Sequence, residues 1–158
     1  MKYVLASLIL LFAVNLSAAP DTVFLFRHSE KLTGKDPHLS DAGKQRAQQL
    51  VSLLSKVRPN AIFSTDYNRT IETATPLAEY FAMPIETYEP GDLAKLKQTV
   101  LAQSGVVVVV GHSNTTAKLA ELIAQVTVEK MPETEFDRYF ILQKVGQGYQ
   151  LSRLKMNF

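Results

Sequence analysis

The chain has 158 residues, with 17 Lys and Arg against 15 Asp and Glu, 46% apolar side chains, seven Gly, seven Pro and no Cys. Such a length and mixture make one globular domain, too apolar for a disordered tail and too punctuated by Gly and Pro for a coiled coil. A net charge of +2 gives no nucleic-acid footprint, and the lack of cysteine excludes a thiol nucleophile, an iron–sulfur cluster, thiolate-bound zinc and a disulfide framework.

Lys2 is the only charge in the first twenty residues, residues 3–14 are apolar except for Ser7, and small residues follow at Ser17, Ala18 and Ala19. This pattern predicts a secretory signal peptide over residues 1–18, cut after Ala18, because a cut after Ala19 would set the Pro20 ring against the scissile bond. The apolar stretch is shorter than the ~20 residues a span needs, so no permanent membrane helix is expected. Removal of Lys2 leaves a domain of residues 19–158 with 16 basic and 15 acidic side chains. The expected location is periplasmic or secreted, where ATP and NAD are scarce, which favours a site with no cofactor.

The remainder alternates strand and helix. Residues 22–27 form a short apolar run ending in a charge, and residues 106–110 are five valines between Gly105 and Gly111. Both read as strands buried on two faces, with shorter strands expected at 61–64 and 85–88. Ala47, Leu50, Leu54 and Val57 lie on one helical stripe, with Ser40 as its N-cap and Pro59 beyond its end. A second stripe, Ile71, Ala74, Ala78 and Phe81, contains Pro76, which should either kink the helix or open a new one. Further helices are predicted over 93–101 and from about Asn114 through Leu119, Leu122, Ile123 and Val126. Residues 138–145 and 149–155, separated by Gly146, Gln147 and Gly148, carry a hairpin signal. The alternation predicts an α/β fold: a three-layer α/β/α sandwich with a mostly parallel central sheet and an antiparallel C-terminal hairpin.

In open parallel sheets, ligands bind beyond the carboxyl ends of the strands. The first strand ends in Arg27, His28, Ser29 and Glu30, residues 64–69 bring Ser64, Thr65, Asp66 and Arg69, and the valine strand ends in Gly111, His112, Ser113 and Asn114. Arginine presents a planar fork of donors that suits phosphate oxygens, and a helix starting at Ser113 or Asn114 adds free N–H groups and a positive dipole end. Two imidazoles and two guanidinium groups therefore point to a small phosphorylated ligand. A neutral His28 is a competent nucleophile near pH 7, and the adjacent cations are expected to keep it unprotonated. No metal is required for such chemistry.

Residues 24–31 (FLFRHSEK), 36–43 (DPHLSDAG), 64–74 (STDYNRTIETA) and 109–115 (VVGHSNT) together resemble the histidine phosphatase superfamily, the phosphoglycerate mutase-like group, over nearly all of residues 22–155. The resemblance implies that His28 takes the phosphoryl group, that Arg27, Arg69 and His112 hold its oxygens, and that water then releases phosphate. Ser29 stands where the family commonly has glycine. His112 is followed by Ser113 rather than the Asp of the phytase-like branch, which points to the smaller branch 1. A departing alkoxide also needs a proton. Glu89, after the fourth strand, is the preferred acid by resemblance, with Asp92, Glu30 and Asp36 as rivals.

Other readings stand beside this one. His28 and His112 with Glu30 or His38 could bind zinc, although no clustered ligand pair is present. A phospho-ligand binding module would keep the pocket without turnover, and a mutase-like phosphotransferase would carry extra substrate-gripping insertions. Substrate selectivity is assigned to residues 32–39 and 128–135.

Overall fold

The computed structural model describes residues 19–157, so the predicted leader at 1–18 lies outside the described residues. Ten elements follow in the order β1 (Thr22–Arg27), α1 (Asp41–Leu54), β2 (Ala61–Thr65), α2 (Asn68–Phe81), β3 (Glu86–Tyr88), α3 (Leu93–Leu101), β4 (Val106–Gly111), α4 (Ser113–Ala124), β5 (Arg138–Val145) and β6 (Gly148–Lys155). The strands form one sheet in the order β3-β2-β4-β1-β5-β6. β1, β2, β3 and β4 run parallel, and β5 pairs antiparallel with both β1 and β6.

The uninterrupted apolar strands are explained by helices on both faces. Successive side chains of a strand point to opposite sides. Val23, Leu25, Val107 and Val109 therefore pack with Leu96 and Val100 of α3 and with Leu119, Ala120 and Ile123 of α4. Phe24, Phe26, Val108 and Val110 face the other way, onto Leu50 and Leu54 of α1 and Leu77, Ala78 and Phe81 of α2. The five valines thus serve two cores at once. The result is the three-layer α/β/α arrangement with its antiparallel C-terminal hairpin.

Local chemistry sets the ends of the elements. Ser40 caps α1, its Oγ accepting from Gly43 N at 3.2 Å. α1 stops at Leu54, short of the predicted Val57, which instead turns back with its N–H on Leu54 O. α2 runs through Pro76 without a break, so the proline removes one donor inside a helix whose buried stripe holds it in place. In the hairpin, Val145 pairs with Gly148, and Gly146 takes the positive φ of 60° that the first position of a tight two-residue turn requires.

Register brings the chemistry together. Arg27 pairs with Gly111 across the β1–β4 ladder, so the residues that follow, His28 and His112, leave adjacent strands side by side. β2 flanks β4 on its other side, which sets Thr65 next to His112.

Candidate active site

The crevice at the carboxyl end of the sheet is built on His28. His28 N donates to Gly111 O at 2.8 Å, tying the two strand ends, and the ring is 3% exposed. Its Nδ1 lies 2.8 Å from Ser29 O. A carbonyl can only accept, so Nδ1 carries the proton and Nε2 keeps a bare lone pair. Burial pushes His28 down to about 4, with Arg27, His112 and Arg69 adding to the effect against the opposing Ser29 bond. Desolvation, more than the neighbouring cations expected from sequence, keeps this imidazole neutral.

His112 meets His28 edge to face, with ring centroids 5.6 Å apart. Its Nε2 is 3.0 Å from Thr65 Oγ1, and Arg69 Nη2 approaches its Nδ1 at 3.4 Å. Arginine can only donate, so Nδ1 accepts and Nε2–H donates to Thr65. Thr65 Oγ1 passes its own proton to Thr70 Oγ1 at 2.9 Å, and Thr70 Oγ1 lies 2.9 Å from the carbonyls of both Thr65 and Tyr67. Burial, then Arg69 and Arg27, lower His112 to about 4, with Glu133 opposing. Gly111 is needed just before it, since a Cβ there would sit 2.7 Å from Tyr88 Oη and 2.8 Å from Thr115 Oγ1.

Arg69, on the first turn of α2, is oriented from three sides. Asp36 Oδ1 accepts from Asn68 N at 3.1 Å and from Arg69 Nη1 at 3.5 Å, and the guanidinium stacks 4.6 Å from the Tyr67 ring centroid. Thr73 Oγ1 donates to Arg69 O at 2.7 Å and accepts from Ser29 N at 2.9 Å, bracing α2 against the turn that carries His28.

Arg27 is more of an anchor than its place beside His28 suggests. Nη1 donates to Pro132 O and Glu135 O, both at 2.8 Å, and Nη2 to Glu133 O at 2.9 Å and Glu133 Oε2 at 3.1 Å. Its guanidinium also lies 4.2 Å from the Phe136 ring centroid. Nε of Arg27 and Nε of Arg69 are both buried without a partner. Two unpartnered cationic donors beside two neutral imidazoles suit an anionic ligand.

The remaining predicted residues divide. Ser113 opens α4 and donates from Oγ to Glu133 Oε1 at 2.5 Å. Glu30 is gripped by Arg46, whose Nε reaches Oε1 at 3.1 Å and Oε2 at 2.9 Å and whose Nη2 reaches Oε1 at 2.6 Å. Partial burial pushes the Glu30 carboxyl up, but the Arg46 bonds outweigh it and hold the group below its usual range. Asp92 caps α3, accepting from Lys95 N at 3.0 Å. Glu89 is exposed at the end of β3 and lines a groove with Asp66, Tyr88, Asp92 and Lys95 that includes neither His28 nor His112. His38, in the 32–39 loop, pairs with Glu72 of α2, and among the described residues it forms no metal-binding cluster with the two imidazoles.

Sequence reasoning noted Thr65 at the end of its strand and Glu133 within the 128–135 segment assigned to selectivity, but gave neither a role among the catalytic groups, and it did not single out Thr70 or Thr73. The threonines follow or face strand ends within a motif already noted. Glu133 carries no local signal, because it arrives from a loop more than 100 residues from Arg27.

Residues 23–90 match the model of the histidine phosphatase superfamily, branch 1. That segment contains Arg27, His28 and Arg69, and the motif around His112 lies beyond it. SixA of Agrobacterium tumefaciens, named a phosphohistidine phosphatase, superposes with a TM-score of 0.67 at 21% identity, covering 87% of this chain and 99% of that one. The protein histidine phosphatase SixA in complex with tungstate gives 0.68 at 14% identity, covering 85% and 96%. A mycobacterial glucosyl-3-phosphoglycerate phosphatase gives 0.65 at 15% identity, covering 87% and 98%. These likenesses establish a shared fold. No curated protein matches the chain. Among the described residues no helix is long and apolar enough to cross a membrane.

Proposed function

We propose that this protein is a phosphatase of the histidine phosphatase superfamily, hydrolysing phosphomonoesters through a phosphohistidine at His28 with no metal in the reaction. The observation that carries this reading is the bare Nε2 of His28 in a crevice holding two buried, unpartnered arginine Nε–H donors. The names of the similar structures, protein histidine phosphatase and glucosyl-3-phosphoglycerate phosphatase, agree with it.

In this mechanism the ester's phosphorus lies against His28 Nε2 and its nonbridging oxygens take the free Nε–H donors of Arg27 and Arg69. The oxygens share the charge that spreads over the transition state with both guanidinium groups. His112 joins them by taking a proton at Nδ1, which the negative charge of a bound phosphate favours. The Nδ1–H bond to Ser29 O steadies the imidazolium that forms when Nε2 becomes phosphorylated. The N-terminal N–H groups of α4, beginning at Ser113, add donors of the same sign.

The stretch at 1–18 supports export, and with it action on phosphorylated small molecules of the cell envelope. Fractionation of cells making the full chain tests location. A non-catalytic binding module and a mutase-like transferase are separated from the phosphatase by turnover: the former binds vanadate without releasing phosphate, and the latter requires an acceptor other than water.

The direct test is phosphate release from an aryl phosphate in the presence of EDTA. The wild-type chain is expected to turn over and to yield an acid-labile phosphoenzyme on quenching, and His28→Ala is expected to lose at least about a thousand-fold in kcat/KM. Retained turnover in His28→Ala would overturn the assignment.

A further inference from the structure

Expulsion of an alcohol from phosphorus needs a proton on the departing oxygen, and His28, whose Nε2 attacks, has none to give there. Three of the carboxylates expected at the crevice mouth are already committed: Glu30 to Arg46, Asp36 to Asn68 and Arg69, and Asp92 to the cap of α3. Glu89 opens onto a groove of its own.

Glu133 is also paired, but with Arg27 and Ser113, residues of the crevice itself. Its carboxylate bridges Ser113 Oγ at 2.5 Å and Arg27 Nη2 at 3.1 Å, and its carbonyl receives a second bond from the same Nη2 at 2.9 Å. Backbone and side chain are thus both fastened to the wall of the phosphate crevice, while the side chain as a whole stays 80% exposed. The same residue lines a cleft of about 530 Å³ between α3 and α4, whose walls include Leu93, Ala117, Val128 and Met131. The lining of the cleft includes Ser113, which follows His112 in the chain, and Glu133, which is bonded to Arg27. An ester with its phosphorus at His28 and its alcohol in this cleft carries its bridging oxygen past the Glu133 carboxyl.

Resting on the phosphohistidine reading, we propose that Glu133, in place of the Glu89 expected from sequence, is the catalytic acid that protonates the leaving alcohol. In the first step the P–O bond breaks as the His28 Nε2–P bond forms, and the bond's electron pair leaves on the alcohol oxygen, which takes the Glu133 proton. In the second step the Glu133 carboxylate accepts a proton from the water that attacks phosphorus, and the N–P bond breaks with its electron pair returning to Nε2. Ester and water become alcohol and phosphate, and Glu133 is restored.

The groups facing this carboxylate are Arg27 on β1 and Ser113 at the start of α4, which bond it, and His28, Lys31 and His112, which act on it through charge alone. In the free protein the Ser113 and Arg27 bonds favour the carboxylate. A phosphate dianion competes for those donors and repels the negative oxygen, so substrate itself draws a proton onto Glu133.

The experiment compares an n-alkyl phosphate, whose alkoxide must be protonated, with p-nitrophenyl phosphate, whose phenolate leaves without help. Glu133→Gln keeps the size and an acceptor for Arg27. The expected result is that its alkyl-to-aryl ratio of kcat/KM falls by about 100-fold or more relative to wild type, with Glu133→Asp recovering part of it, and that Glu89→Gln does not move this ratio. Equal losses on both esters in Glu133→Gln would overturn the proposal. So would faster turnover with tighter vanadate binding, which makes the carboxylate a resident competitor for the anion, and so would a fall of the ratio in Glu89→Gln instead. If His28→Ala still turns over, the phosphohistidine reading fails. If it is inactive while the ratio in Glu133→Gln is unmoved, only the role of Glu133 fails.

Discussion

A histidine that attacks phosphorus must offer a lone pair, and at position 28 a single carbonyl decides which nitrogen has it. The Ser29 O bond to Nδ1 fixes the tautomer, and burial keeps the ring neutral. With both imidazoles lowered to about 4, neither His28 nor His112 is expected to change its NMR shifts between pH 5.5 and 8 in phosphate-free buffer, a range in which an ordinary imidazole titrates midway. A His28 midpoint above 6 would contradict a neutral imidazole there. The four principal residues were legible because each follows a recognisable strand or opens a helix: a residue type with few uses, in a place with one common use. Glu133 was not legible, since a glutamate in a polar loop is ordinarily a solvated one, and it is the Arg27 fork together with the Ser113 bond that holds this loop over the crevice.

At the scale of elements, helices were readable from their stripes and caps, whereas closeness between them was not. Gly43 illustrates the difference. It occupies the first turn of α1, where its sequence suggests only a weak helix former. In the fold a Cβ at this position would lie 2.0 Å from Glu30 O and 2.9 Å from its carbonyl carbon, both backbone atoms that cannot rotate aside. Glu30 is two residues from His28, and Ser40 N also donates to that same carbonyl at 3.0 Å. Gly43→Ala should therefore destabilise by about 1–3 kcal/mol through overpacking, although alanine is the better helix former, and should lower kcat through the displaced His28 turn. Urea unfolding and steady-state kinetics check both, and a gain in stability would show that α1 can withdraw from the loop at no cost. Pro76 teaches the opposite lesson. Propensity made a kink or a new helix start the expectation, and the buried stripe of Thr73, Ala74, Leu77 and Ala78 carries α2 through Pro76 as one helix.

For the whole molecule, alternation of strand and helix predicted a layered α/β domain, but not which strands are neighbours. The chain passes from β1 to β2 and returns to insert β4 between them, and that order alone brings His28, His112 and Thr65 into one crevice. The buried imidazoles also tie stability to pH. In the unfolded chain each histidine titrates near 6.5, while in the fold His28 and His112 hold out to about 4. Between these values the unfolded state binds more protons, so stability must fall as pH drops from 6.5 towards 4. The carboxylates of Glu30, Glu72, Glu133 and Glu135 are held below their ordinary range. Their contribution is present above the unfolded carboxyl range and is lost only as pH falls beneath it. Acid destabilisation should accordingly come in two stages, imidazoles first and carboxylates second. Urea midpoints measured from pH 7.5 to 3.5 in phosphate-free buffer should show both stages, and replacement of His28 and His112 by Asn should flatten the upper one while leaving the lower. A wild-type midpoint that stays level from pH 7 to 5 would mean that these two rings reach water more freely than their burial implies.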